Sequence, residues 1–110
     1  SEEDAIVANE VIASLEFAAG DSDGTDGATV AAGIHAIAEG TFSASANATK
    51  LVFTTGVSET AASSATAKMT LASDGDLTVA GTVTADPTAV LLIKNSAGST
   101  LKTINGIAAN

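Results

Sequence analysis

Apolar residues at every second position are the feature that most constrains how this chain can fold. In the run 11–17, four apolar residues share one parity, while Ser14 and Glu16 fall on the other. Comparable runs of apolar and β-branched residues occur at 50–56 and 68–83. Successive side chains of a strand point to opposite faces, so a period of two predicts half-buried β-strands. The sequence therefore predicts an all-β chain of short strands joined by Gly- and Asp-rich turns.

The segment ATVAAGIHAIAEG (28–40) permits two interpretations. Its alanines favour a helix, because alanine is the strongest helix former. Gly33 in mid-run, together with the β-branched Val30 and Ile34, favours a strand instead. We predict a strand here.

The clearest hairpin signal lies at KMTLASDGDLTVAG (68–81). Asp74-Gly75 provides the positive φ that tight β-turns need. Two short strands are expected to pair across this turn, with Met69 and Leu71 of the first strand facing Leu77 and Val79 of the second. The preceding KLVFTTG run (50–56) is predicted to be a strand with Leu51 and Phe53 directed inward. A further pair, AVLLIKN and TLKTIN, is predicted around the turn Ser96-Ala97-Gly98.

The composition predicts a hydrophobic core too small for a lone monomer. Hydrophobic residues make up 45% of the chain, but many are alanine, and the aromatic residues are three phenylalanines. Ordering a residue costs roughly 1.5 kcal/mol, whereas apolar burial returns about 25 cal/mol per Å². We therefore expect a homo-oligomer, in which other copies supply the missing burial. The candidate core or oligomer-seam residues are Leu15, Phe17, Ile34, Leu51, Phe53, Met69, Leu71, Leu77 and Val79.

The net charge of −9 is concentrated in the first 39 residues, which hold nine of the 13 acidic residues and no lysine or arginine. An acidic surface repels nucleic acid and anionic lipid. No apolar run approaches the roughly 20 residues of a membrane-spanning helix. Nucleic-acid binding and membrane insertion are therefore not expected.

Few residues could support catalysis or metal binding. The chain has no cysteine, and its single histidine, His35, has only Gly33 and Ile37 as same-strand neighbours. We predict a structural role for His35 at a strand surface or an oligomer seam, no enzymatic activity and no cofactor. The stretch DSDGTDG (21–27) contains Asp21, Asp23 and Asp26, whose oxygens suit a weak Ca²⁺ site, although the spacing departs from an EF-hand loop.

Three stretches resemble a β module found in tail fibres of marine, cyanophage-like bacteriophages. They are ANEVIASLEFAA (8–19), GTDGATVAAGIHAIAEGTFSASANATKLVFTTG (24–56) and AASSATAKMTLASDGDLTVAGTV (61–83). The sharpest likeness is AKMTLASDGDLTVAG, although Lys68 stands where many members of that family carry arginine. The stretches together span about two thirds of the chain, and they consist of strands and turns.

The resemblance implies a small antiparallel β-sandwich or β-prism-like domain over residues 1–85, assembled as a homotrimer. Residues 86–110 would form a connector and a shaft-like β-hairpin unit that continues beyond the chain. It further implies a structural and adhesive role in the virion tail, where the fibre projects or forms part of the host-recognition apparatus. A glycan or protein of the host cell surface would be its partner.

Two other functions stay open on the sequence. One is an extracellular filament subunit or a capsid decoration protein, assembled through β-strand contacts between subunits. The other is a weak calcium- or carbohydrate-binding module centred on residues 21–27.

Overall fold

The computed structural model describes residues 5–20, 29–57, 60–85 and 90–105. Throughout these ranges the regular structure is antiparallel β-sheet, and none of the described residues is helical. The prediction of an all-β chain is confirmed. The predicted Ca²⁺ ligands Asp21, Asp23 and Asp26 lie outside the described residues.

Five strands form one sheet in which each strand pairs with the next along the chain. Every pairing is antiparallel. The strands are β1 (Val11–Ala18), β2 (Val30–Ala38), β3 (Thr49–Thr55), β4 (Met69–Leu71) and β5 (Leu77–Val79). The strand prediction for the alanine-rich segment is thus confirmed for β2. Within one chain these strands make a single layer, so a sandwich or prism would need layers from other chains.

A second, two-stranded sheet pairs β6 (Val90–Lys94) with β7 (Thr100–Asn105). The predicted turn between them is present. Asn95 Oδ1 accepts hydrogen bonds from the backbone N–H groups of Ala97 and Ser99, both at 3.0 Å. Gly98 has a φ of 89°, a left-handed conformation that glycine adopts without steric cost.

The turn between β4 and β5 confirms the hairpin read from Asp74-Gly75. Gly75 has a φ of 93°, and its N–H donates to the carbonyl of Ala72 at 2.9 Å. Because the N–H of Ala72 also donates to the carbonyl of Asp76, residues 73–75 form a three-residue connection. Such a connection needs one residue with positive φ, which Gly75 supplies.

Cross-strand register separates the side chains of the sheet into two faces. Directly paired residues of an antiparallel ladder lie on the same face. Met69 pairs with Val79 and Leu71 pairs with Leu77, as the hairpin pattern predicted. At the start of β1 a register shift between Val11 and Ala13 interrupts the alternation. Val11 therefore pairs with Ile37 and does not continue the row of Ala13, in contrast to the predicted single parity.

The chain itself buries the face opposite to the one predicted for β3. Val52 is 5% exposed and Thr54 is buried, whereas Leu51 remains exposed and Phe53 is only half-buried. The segment 60–67, which we call the covering segment, lies against the face of Val52 and Thr54, where its Ala61 is fully buried. Small side chains let this segment approach the sheet closely. The prediction that Leu51 and Phe53 point inward is wrong for the single chain.

A carboxylate ties the end of β2 to the β4–β5 turn. Glu39 accepts a hydrogen bond from the Ser73 hydroxyl at 2.6 Å and another from the Ser73 backbone N–H at 3.1 Å. The bond from the Ser73 hydroxyl and, to a smaller extent, the bond from its backbone N–H lower the pKa of Glu39 below its ordinary value, because both stabilise the ionised carboxylate.

Neutralising Glu39 should reduce the acid sensitivity of the fold. A carboxyl whose pKa is lowered by folding stabilises the protein fully above its unfolded pKa, about 4.3. This contribution is lost as the pH falls through the lowered folded-state pKa. We therefore expect Glu39→Gln to have a lower melting temperature than the parent chain near neutral pH. Between about pH 6 and about pH 3, the melting temperature of Glu39→Gln should fall by less than that of the parent chain. Glu16→Gln, at an exposed position of β1, is the matched control. Equal acid sensitivity of Glu39→Gln and the parent chain would refute this role.

Candidate functional site

The largest apolar side chains of the five-stranded sheet share one face. One cross-strand row follows the pairs Leu15–Ile34, Ile34–Phe53, Phe53–Met69 and Met69–Val79. A second row contains Leu51, Leu71 and Leu77, and Phe17 lies next to the first row on β1. We call this surface the apolar face; it consists of Leu15, Phe17, Ile34, Leu51, Phe53, Met69, Leu71, Leu77 and Val79. All nine candidate core or seam residues therefore lie together.

The chain leaves the apolar face largely uncovered. Leu77 is 61% exposed, Leu15 is 57% exposed and Phe17 is 50% exposed. Among the paired positions of the described strands, no charged side chain falls on this face. Large contiguous apolar surfaces that are free of charge mark sites of association in soluble proteins.

The total exposed area of the chain is far above that of a compact monomer. The accessible surface is 7772 Å² for a mass of 10.6 kDa. A compact monomer of that mass would expose about 5,500 Å². The difference of about 2,300 Å² belongs to the whole chain, with both sheets and their connections included.

The β6–β7 sheet has the same deficit of burial. Leu91, Leu92 and Ile93 are exposed on β6, and Leu101 is exposed on β7. Since Leu91 and Leu92 are neighbours in a strand, they point to opposite faces, and both faces of this sheet carry exposed apolar side chains. A lone two-stranded sheet is marginally stable at best in water. This unit therefore needs contacts from outside its own two strands.

On the other face of the five-stranded sheet lies a buried hydrogen-bond chain centred on His35. The His35 ring is fully buried, and its Nδ1 lies 2.7 Å from the Ser14 hydroxyl. Its Nε2 lies 2.9 Å from Thr54 Oγ1 and 3.3 Å from the carbonyl oxygen of Ala61. Thr54 Oγ1 in turn donates a short hydrogen bond to that carbonyl. The prediction of His35 at a strand surface is wrong, because the covering segment closes over it.

The contacts of His35 define its tautomer. A carbonyl oxygen can only accept, so the Thr54 hydroxyl uses its hydrogen on Ala61. Thr54 Oγ1 then accepts from a protonated Nε2, and in the neutral ring Nδ1 keeps a lone pair directed at Ser14. In that form of the ring the Ser14 hydroxyl donates to Nδ1. No buried side-chain nitrogen or oxygen among the described residues lacks a partner.

Gly33 makes room for this arrangement. A Cβ at position 33 would lie 2.6 Å from His35 Nε2 and 3.2 Å from Thr54 Oγ1. A glycine in mid-strand often marks such a close approach. Gly33 is thus a sequence signal that some group approaches this strand closely, although sequence alone does not show which group.

Beside the covering segment lies a small cleft of about 170 Å³, lined by residues that include Thr55, Thr60 and Lys68. The Lys68 ammonium group donates to the Thr55 carbonyl at 2.8 Å and to the Thr55 hydroxyl at 3.0 Å. Its charge is thus engaged within the chain. Within the described ranges, no group of three or more potential metal ligands comes together. The same ranges contain no helix that could cross a membrane.

Comparison with known proteins finds no relative: no protein-family model, no curated protein and no solved structure matches the chain.

Replacing Gly33 by alanine should destabilise the fold, because the new methyl group would collide with the locked His35 ring. We expect Gly33→Ala to lower the free energy of unfolding in urea by about 1–3 kcal/mol. Gly40→Ala is the matched control, since a Cβ at position 40 meets no atom within 4 Å. That control should be neutral or stabilising by up to about 1 kcal/mol. Equal effects of the two substitutions would show that position 33 has no special steric role.

Proposed function

We propose that this chain is a structural module of a bacteriophage tail fibre, assembled as a homotrimer. The observation that carries the proposal is the uncovered apolar face, on which Leu15, Phe17 and Leu77 are each at least half exposed. In the proposed assembly, three sheets turn their apolar faces toward a common axis and bury them against one another. The result is a β-prism-like domain whose core belongs to all three chains.

The asymmetry of the sheet supports this orientation. The opposite face carries Glu16, Thr70 and Thr78, which tolerate solvent, and the covering segment has already closed its centre. The apolar face, with most of the large exposed side chains of the sheet, gains most from further burial. Burial of apolar surface contributes about 25 cal/mol per Å². Burial of this face would therefore help to offset the conformational entropy that the sheet loses on folding.

The concentration of charge also fits a solvated fibre. Self-association of a chain with net charge −9 costs repulsion, which is least when the acids lie away from the interface. The described strand acid in the first third, Glu16, pairs with Gly33 on the face opposite to the apolar one. If the chains meet through their apolar faces, the three copies of Glu16 therefore stay away from the interface.

The place of the module in a virion tail, and a host-surface glycan or protein as its partner, follow from the resemblance of residues 8–83 to phage tail fibres. In this role the function is mechanical and adhesive, since the chain projects or forms part of the host-recognition apparatus. The β6–β7 sheet would extend the shared core as a shaft-like hairpin, because its exposed leucines also need cover.

Placing a charge on the apolar face should dissociate the assembly. We expect Leu77→Asp to convert the trimer, of about three times 10.6 kDa, into monomers, since a carboxylate cannot be buried unpaired in the shared core. Thr78→Asp, one position along β5 on the other face, should leave the trimer intact. Light scattering coupled to size-exclusion chromatography measures both masses. A monomeric parent chain, or equal effects of the two variants, would contradict the proposal.

Particle shape distinguishes the fibre from its structural rivals. Electron microscopy of the assembled chain should show closed three-fold particles. An open helical array would indicate an extracellular filament subunit instead. Binding to an intact capsid would indicate a decoration protein.

A further inference from the structure

Ser14 and His35 have the geometry of a nucleophile and its general base. We propose that His35 activates the Ser14 hydroxyl, which makes Ser14 a site of covalent modification by activated acyl or phosphonyl compounds. This inference is independent of the fibre role, because it concerns the face of the sheet that the proposed trimer leaves in solvent.

The first argument is distance and direction. The Ser14 Oγ lies 2.7 Å from His35 Nδ1, within the range of a proton-transfer contact. Since the tautomer places the hydrogen on Nε2, the Nδ1 lone pair is available to take the hydroxyl proton. An activated serine needs this direct contact with a base.

The second argument is that the base is itself held in place. His35 Nε2 is fixed by Thr54 Oγ1 at 2.9 Å and by the Ala61 carbonyl at 3.3 Å. A third group that orients the base completes the arrangement of activated nucleophiles. Here a threonine and a backbone carbonyl act as positioning groups. Full burial of the ring removes the water that would compete for Nε2.

The third argument is access. Ser14 is an exposed residue of β1, which is an edge strand of the sheet. The residue is therefore open to solvent at the edge of the sheet, while its base is buried.

The proposed step is balanced. Ser14 Oγ attacks the electrophilic carbon of an activated ester, and its proton passes to His35 Nδ1. When the tetrahedral adduct collapses, the bond to the leaving group breaks and that group receives the proton from His35. With a fluorophosphonate, the bond from Oγ to phosphorus forms as the phosphorus–fluorine bond breaks, and fluoride and the proton depart. In both cases His35 returns to its neutral state and Ser14 carries the transferred group.

A fluorophosphonate probe tests the proposal on the whole chain. We expect one label per chain, which peptide mass spectrometry places on Ser14. His35→Gln should lower the labelling rate at least about 100-fold, the smaller end of the usual contribution of a general base. Circular dichroism establishes whether this variant keeps the β fold. The proposal is overturned if folded parent chain leaves Ser14 unlabelled, or if folded His35→Gln labels at the parent rate.

A second measurement decides the question even if His35→Gln does not fold. The chain has no cysteine, so Ser14→Cys introduces a single thiol beside an intact His35. Thr78→Cys is its matched control, because Thr78 is exposed on the other edge strand in the same cross-strand row.

A thiol next to a histidine base ionises more readily than a free one. At neutral pH, iodoacetamide should therefore alkylate the Ser14→Cys chain about ten times faster than the Thr78→Cys chain. In urea the two rates should become equal, since unfolding separates His35 from the thiol at position 14. Equal rates in the folded chains would refute activation of position 14.

Discussion

The five-stranded sheet has two faces, and the described part of the chain supplies a covering segment for the face that carries the smaller apolar side chains. One stretch, the covering segment, closes a single face of a one-layer sheet, and it closes the face of His35, Val52 and Thr54. The side chains with the most apolar area lie on the other face. Apolar burial is the main term that offsets conformational entropy, so the uncovered side chains of the apolar face contribute little of it to the single chain.

The covered face is organised by hydrogen bonds as well as by packing. Ala61 anchors the covering segment: its N–H donates to the Val30 carbonyl at 2.8 Å, and its carbonyl receives the Thr54 hydroxyl. A buried polar group is costly unless it is paired, so this arrangement works only when every member is satisfied. Because Nδ1 of the buried His35 ring also needs a partner, it contacts the hydroxyl of Ser14 on the exposed edge strand. Structural satisfaction and the proposed reactivity thus arise from one network.

Local patterns predicted the strands and turns well. The alternation in 68–81, with Gly75 at its turn, specified a hairpin whose register the structure reproduces. In β2, Gly33 correctly favoured a strand over a helix. The burial of His35 was missed because its partners Ser14 and Thr54 are 21 and 19 residues away in sequence. No same-strand neighbour reveals a contact that forms across strands.

The sequence alone determined the class of structure and the grouping of the large apolar residues. Because apolar residues alternate, Leu15, Phe53 and Leu71 each lie on the apolar side of their own strand. Strand pairing has to align these apolar sides, since a register slip of one residue would turn every side chain of a strand to the other face. Only the tertiary structure decided which face the chain covers for itself. That choice depends on where residues 60–67 lie, and small residues such as Ala61 carry no periodic signal of the surface they will contact.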